Sequence, residues 1–136
     1  MEKEVKSLQI KLVAVQAELK APKGQFNKFA NFSYRSCEDI LEALKPLLLK
    51  HGLLLKITDK MELIGDRYYI KATAQVSDSS DSEPISVDSY ARESAEKKGM
   101  DAAQITGSAS SYARKYALNG LFLIDDTKDS DSQDNN

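Results

Sequence analysis

Residues 67–76 read RYYIKATAQV, with apolar and polar side chains alternating almost without a break, and Gly65-Asp66 stands directly before them. A period of two sends successive side chains to opposite faces, so the run reads as a strand with one buried face, entered through a two-residue hairpin turn. Tyr68, Ile70, Ala72, Ala74 and Val76 are expected to face inward, and Arg67, Tyr69, Lys71, Thr73 and Gln75 outward. On the other side of the turn, residues 53–64 are rich in apolar side chains and supply the pairing strand. SDSSDSE (77–83) is a turn, and PISVDSYARE (84–93) alternates again, so a third antiparallel strand is expected.

Elsewhere the period is helical. Within residues 2–20, Val5, Leu8, Leu12, Val15 and Leu19 fall at spacings of three and four, a narrow apolar seam that packs on the domain or on a neighbouring subunit. Pro22 and Gly24 end that helix. In SCEDILEALKPLLLKHG (36–52), Ser36 is a natural N-cap and Glu38 and Asp39 suit the first turn. Ile40, Leu41, Leu44, Leu47 and Leu48 form one broad face, Gly52 is a plausible terminator, and Pro46 predicts a kink or an early end. In the last segment Ile105, Ala109, Tyr112, Ala113 and Tyr116 share a face. Thr106, Gly107, Ser108, Ser110 and Ser111 permit close approach of another backbone, and Asn119-Gly120 is expected to close the helix. The fold class is therefore α+β: a three-stranded antiparallel β-meander packed with helices, with N-terminal helices preceding it. Residues 1–20 form the N-terminal helix, 21–124 the core domain, and 125–136 an acidic tail without apolar content, expected to be disordered.

At 136 residues with 41% hydrophobic content and no tryptophan, the chain supports one domain with a modest core. Partner subunits could supply further burial. A single cysteine, Cys37, precludes an internal disulfide and fits a reducing cytosol. No apolar run is long enough for a signal peptide or a membrane span, so a soluble intracellular protein is expected. The formal charge of −2 conceals an asymmetry: residues 125–136 carry five acids against one lysine, and residues 1–37 carry seven basic groups against three acidic ones. The body is mildly basic in patches, which permits phosphate binding without demanding it.

Catalytic constellations are scarce. Cys37 and His51 are a conceivable nucleophile and base, but they flank a leucine-rich helix and read better as an inert thiol and a C-terminal-turn imidazole. Zinc spacing and a glycine-rich GK[ST] phosphate loop are absent, and DTKDSDSQD lacks the glycine and the bidentate glutamate of a calcium loop. No enzyme and no cofactor are expected. Binding features are better. Arg67, Tyr69 and Lys71 would put charge and a ring on one strand face, an arrangement that suits single-stranded nucleic acid, against the plainer reading of a solvated face. Arg114 and Lys115 lie near Ser110 and Ser111, and Lys97-Lys98 stands before the last helix.

The blocks YRSCEDILEALKPLL (34–48) and GMDAAQITGSASSYARKYALNGLFLIDDTKD (99–129) resemble the Erf (essential recombination function) family of phage single-strand annealing proteins. The resemblance runs from about Ala21 to Asp129. It implies ATP-independent binding of single-stranded DNA, annealing of complementary strands in phage recombination and repair, assembly into homo-oligomeric rings or filaments, and a β-β-β-α core. It places the protein in the cytoplasm of a bacterial host, with a host single-strand binding protein as a further candidate partner and no membrane. By the same resemblance Tyr34, Arg35, Gln104, Ser108, Ser111, Arg114 and Lys115 are DNA-binding candidates. Arg35 and Arg114 would hold phosphates, and Ser108 and Ser111 would donate to them. Many relatives continue beyond this length. The competing reading is an oligomeric scaffold that uses the first helix and the acidic tail and binds no DNA.

One stretch remains, APKGQFNKFANFSYRS (21–36). Phe26, Phe29 and Phe32 are three of the four phenylalanines in the chain. They are expected to be buried, within the domain or against another subunit, because a narrow-seamed helix needs apolar cover. On that reading DNA contact begins only at Tyr34 and Arg35.

Overall fold

The computed structural model describes residues 6–29, 31–93 and 101–124. Its elements are α1 (Leu8–Glu18), β1 (Gln25–Asn27), β2 (Phe32–Tyr34), α2 (Cys37–His51), β3 (Leu54–Ile64), β4 (Arg67–Ser77), β5 (Ile85–Arg92) and α3 (Ala102–Phe122). The chain is α+β, and β3-β4-β5 followed by α3 gives the expected meander-then-helix order. Ile64 pairs with Arg67, leaving Gly65-Asp66 as a two-residue turn, and Gly65 takes the positive φ of +64° that such a turn requires.

The alternation in β4 divides the sheet. Ile70, Ala72, Ala74 and Val76 are buried on the face covered by α3, which packs mainly on β4 and β5. Ala109, Ala113 and Ala117 of α3 join Ala72 and Ala74 in one cluster, so small side chains on both sides let the helix sit close to the sheet. The opposite face carries Lys56, Lys60, Arg67, Tyr69, Lys71 and Tyr90, with no helix on it among the described residues. Tyr68 departs from the inward set and is about half exposed, as are Met61 and Leu63 beside it, because the end of the β3–β4 hairpin extends past the cover of α3.

On the helical side, Leu8, Leu12 and Val15 of α1 are buried with Ile40 and Leu44 of α2 and Leu118, Leu121 and Phe122 of α3. Burying such side chains contributes about 1.5–3 kcal/mol each relative to exposure. α1 has Ser7 as its N-cap, whose hydroxyl accepts the Ile10 N–H at 3.2 Å, and ends at Glu18, short of residue 20; residues 1–5, Val5 among them, lie outside the described residues. Lys11 reaches Asp78, beyond the end of β4, at 3.0 Å, and Gln16 donates to the Leu121 carbonyl at 2.9 Å.

Two expected terminators behave differently. Pro46 neither ends nor shortens α2, which runs on to His51 and closes at Gly52 in the left-handed conformation. Pro46 and Glu42 are both exposed, so the carbonyl that loses its helical partner faces water, while Leu47 and Leu48 continue the packing. Gly120 lies inside α3 and does not close it. Burial of Leu121 and Phe122 outweighs the roughly 1 kcal/mol cost of a helical glycine, and Leu123 takes the left-handed cap position instead. Gly120 serves a close approach, since a Cβ there would lie 3.1 Å from Val87 Cγ1. The acidic stretch 125–136 lies outside the described residues.

The aromatic stretch is not a plain loop but a hairpin, and Phe26 and Phe29 do not plug the core of their own chain; the Phe32 side chain lies outside the described residues. Phe29 is fully exposed at the tip and Phe26 is 55% exposed. Its two strands pair over three residues each, from Gln25↔Tyr34 to Asn27↔Phe32.

Candidate nucleic-acid interface

Between the base of the β1–β2 hairpin and the middle of α3 lies a cleft of about 300 Å³. One wall is Asn27, Tyr34, Arg35, Ser36, Cys37 and Glu38; the other is Ser108, Ser111, Tyr112 and Lys115. The second wall follows from helical geometry. Positions 108, 111, 112 and 115 fall at i, i+3, i+4 and i+7 and form one stripe, while Ile105, Ala109 and Ala113 turn to the core. The first wall follows from a cap. Ser36 Oγ accepts the Asp39 N–H at 3.1 Å, the Asp39 carboxylate accepts the Ser36 N–H at 2.9 Å, and this box aims the start of α2 at the cleft. The partial positive charge of a helix N-terminus therefore adds to the site.

Two cations are set into these walls. Arg35 is 9% exposed and Lys115 6% exposed. Arg35 donates from Nε to the Ala21 carbonyl at 2.8 Å, which fixes its guanidinium across the segment between α1 and the hairpin. Glu38 offsets part of this charge. Rings and hydroxyls complete the lining: Tyr34, Tyr112 stacked on Tyr116 with centroids 6.2 Å apart, Ser108 and Ser111. Tyr112 was expected on the core-facing side but is 49% exposed, because its position continues the Ser108 stripe.

Cys37 is buried in the wall. Burial pushes its thiol above the ordinary value and neighbouring Glu38 adds to this, which disfavours the reactive thiolate. His51 is at the far end of α2, about 21 Å away at 1.5 Å per residue, and faces Glu18 Oε2 at 3.1 Å. The two do not form a catalytic pair. Among the described residues no group of histidines, cysteines and carboxylates could hold a metal ion, and no helix is long and apolar enough to cross a membrane.

Of the sequence-predicted residues, Tyr34, Arg35, Ser108, Ser111 and Lys115 meet in this cleft. Arg114 turns to β3, where Nε and Nη2 grip Asp59 at 3.0 Å each and Ser110 binds the same carboxylate. Burial pulls the Asp59 carboxyl upward, but the Arg114 and Ser110 hydrogen bonds outweigh it and hold it below its usual value. Gln104 is engaged in the α3 capping box, accepting the Asp101 N–H at 2.9 Å. Arg67, Tyr69 and Lys71 lie on the uncovered face of the sheet, away from α3, with Lys71 3.6 Å from Asp88. Lys97 and Lys98 lie outside the described residues. Asn27, Ser36, Glu38 and Tyr112 line the cleft without having been singled out. The stripe through Ser108 was the signal available for Tyr112, and nothing in the sequence showed that the hairpin would bring Asn27 there.

The sequence profile of the ERF superfamily matches residues 8–136. The chain is 57% identical over 129 residues to the Essential recombination function protein of Salmonella phage P22, covering 95% of this chain and 61% of that relative. It thus spans about three-fifths of the length of that relative. No solved structure matches. With the profile covering nearly all of the chain and identity at this level over 129 residues, the chain belongs to the ERF superfamily.

Proposed function

We infer that this chain binds single-stranded DNA through the cleft between the hairpin and α3, and anneals complementary strands in phage recombination without ATP. The observation that carries the reading is the convergence of Tyr34, Arg35, Ser108, Ser111 and Lys115, from segments more than 70 residues apart, on one cleft. Cations neutralise phosphates, hydroxyls donate to them, and tyrosine rings offer any base a sequence-tolerant stacking partner worth about 1–3 kcal/mol. Membership of the superfamily and the name of the P22 relative support a recombination role.

In this mechanism the protein lowers repulsion between two strands and leaves base pairing to supply specificity and drive. Arg114 and Gln104 act at one remove, by fixing α3 to the sheet and starting it correctly. Arg67 and Lys71 on the sheet face, with Lys97 and Lys98, supply further positive charge for the strand, and Tyr69 a further ring. Ile10 and Val13, exposed on α1, support assembly into a homo-oligomeric ring or filament. The proposed site of action is the host cytoplasm, with a host single-strand binding protein as partner.

Gel-shift titration of a labelled oligonucleotide at several salt concentrations, alongside an annealing assay without nucleotide, tests this. Affinity should fall linearly in log–log form with a slope of about −0.7 per phosphate neutralised, and annealing should be accelerated. Binding indifferent to salt would sink the electrostatic mechanism.

A further inference from the structure

We propose that Phe29, at the tip of the β1–β2 hairpin, is a base-stacking residue that extends the cleft along the bound strand; this rests on the single-strand reading of the cleft. Phe29 is fully exposed, yet it is not on a slack loop. Asn27 Oδ1 accepts the Phe29 N–H at 2.9 Å, the Asn27 carbonyl accepts the Asn31 N–H at 2.8 Å, and Asn31 takes the left-handed φ of 56° that closes the turn. The local structure therefore presents the ring to solvent in a built turn. Asn27 itself lines the cleft, and two residues of chain span at most about 7 Å, so the Phe29 backbone lies within about 7 Å of a lining residue. Register turns the neighbouring ring away: Phe26 pairs with Ser33, on the face opposite Asn27 and Tyr34.

Charge decides the occupant. Lys28 is exposed next to Phe29, giving a cation and a ring on adjacent positions, the pair of groups that a phosphate and its base require. The other candidate socket is the apolar groove of a second copy, of about 470 Å³, lined by Leu19, Pro22, Phe122 and Leu123. That groove also carries Lys20 and Arg35, which would repel Lys28. A polyanion is the better complement.

The chain contains no tryptophan, so Phe29→Trp places a single indole at the tip. Titration with a mixed-sequence oligonucleotide should quench its emission roughly twofold, an abasic oligonucleotide of equal length should leave it unchanged, and Phe29→Ala should weaken oligonucleotide binding about tenfold. If the oligonucleotide binds, by polarisation, but the indole does not respond, the inference is overturned and the cleft reading stands. If neither wild type nor variant binds, the cleft reading fails and takes this inference with it. Emission that shifts with protein concentration in the absence of DNA would show the ring docking on a second copy, which also overturns it.

Discussion

Arg114 of α3 grips Asp59 of β3 through Nε and Nη2, both at 3.0 Å from the carboxylate, and this pair is the chief polar tie between the helix and the first strand of the sheet. Bidentate guanidinium–carboxylate pairs are stronger than ordinary ion pairs, but Arg114 is 40% exposed, so solvent screens this one. Arg114→Ala is expected to destabilise the fold by about 1 kcal/mol in urea unfolding, and the Asp59→Asn, Arg114→Ala double variant to cost less than the sum of the two. Full additivity would show that the pair does not couple.

Asp78 gives the chain an acid limb. The Ser80 hydroxyl and then Lys11 hold its carboxyl down to about 2, against an ordinary 3.8. A depressed carboxyl favours the charged, folded form, so its contribution is complete above about pH 4 and is lost as pH falls towards 2. Thermal midpoints measured across that window should drop for wild type and drop less for Asp78→Asn. Parallel curves for the two proteins would count against the Lys11–Asp78 tie.

Gly120 tests the helix–sheet approach. Alanine there gains helix propensity of about 1 kcal/mol but forces Val87, half-buried on the edge strand β5, to yield. Gly120→Ala is expected to lie within about 0.5 kcal/mol of wild type, and to stabilise by up to about 1 kcal/mol in a Val87→Ala background. The same effect in both backgrounds would mean that Val87 does not limit the approach.

Cys37 should be nearly inert. It is buried and its thiol is pushed upward, so a thiol-specific chromogenic reagent at neutral pH should label it slowly in the native protein and rapidly in denaturant. Fast native labelling would show that the cleft wall opens.

Much of this architecture was legible because its signals are local. The alternation in 67–76, the Gly65-Asp66 turn and the Ser36 cap each depend on a few neighbouring residues, and each appears where expected. Pro46 does not end α2 early and Gly120 does not close α3, because a terminator read locally can be overridden by burial on either side of it. The hairpin at 25–34 was missed because three-residue strands leave almost no period to read. The cleft divides the same way. The Ser108–Lys115 wall follows from helical spacing, whereas its opposition to Tyr34 and Arg35 is a tertiary fact, and so is the turning of Arg114 towards Asp59.

The central claim is that the cleft holds a polyanion, and Ser111 tests it most directly. Ser111 lines the cleft, is exposed, and can be replaced without disturbing the core. Fluorescence polarisation with a labelled single-stranded oligonucleotide should show Ser111→Glu binding about tenfold more weakly than wild type and Ser111→Lys more tightly, with the difference shrinking as salt rises. Equal affinity for the glutamate and lysine variants, both folded, would contradict the account.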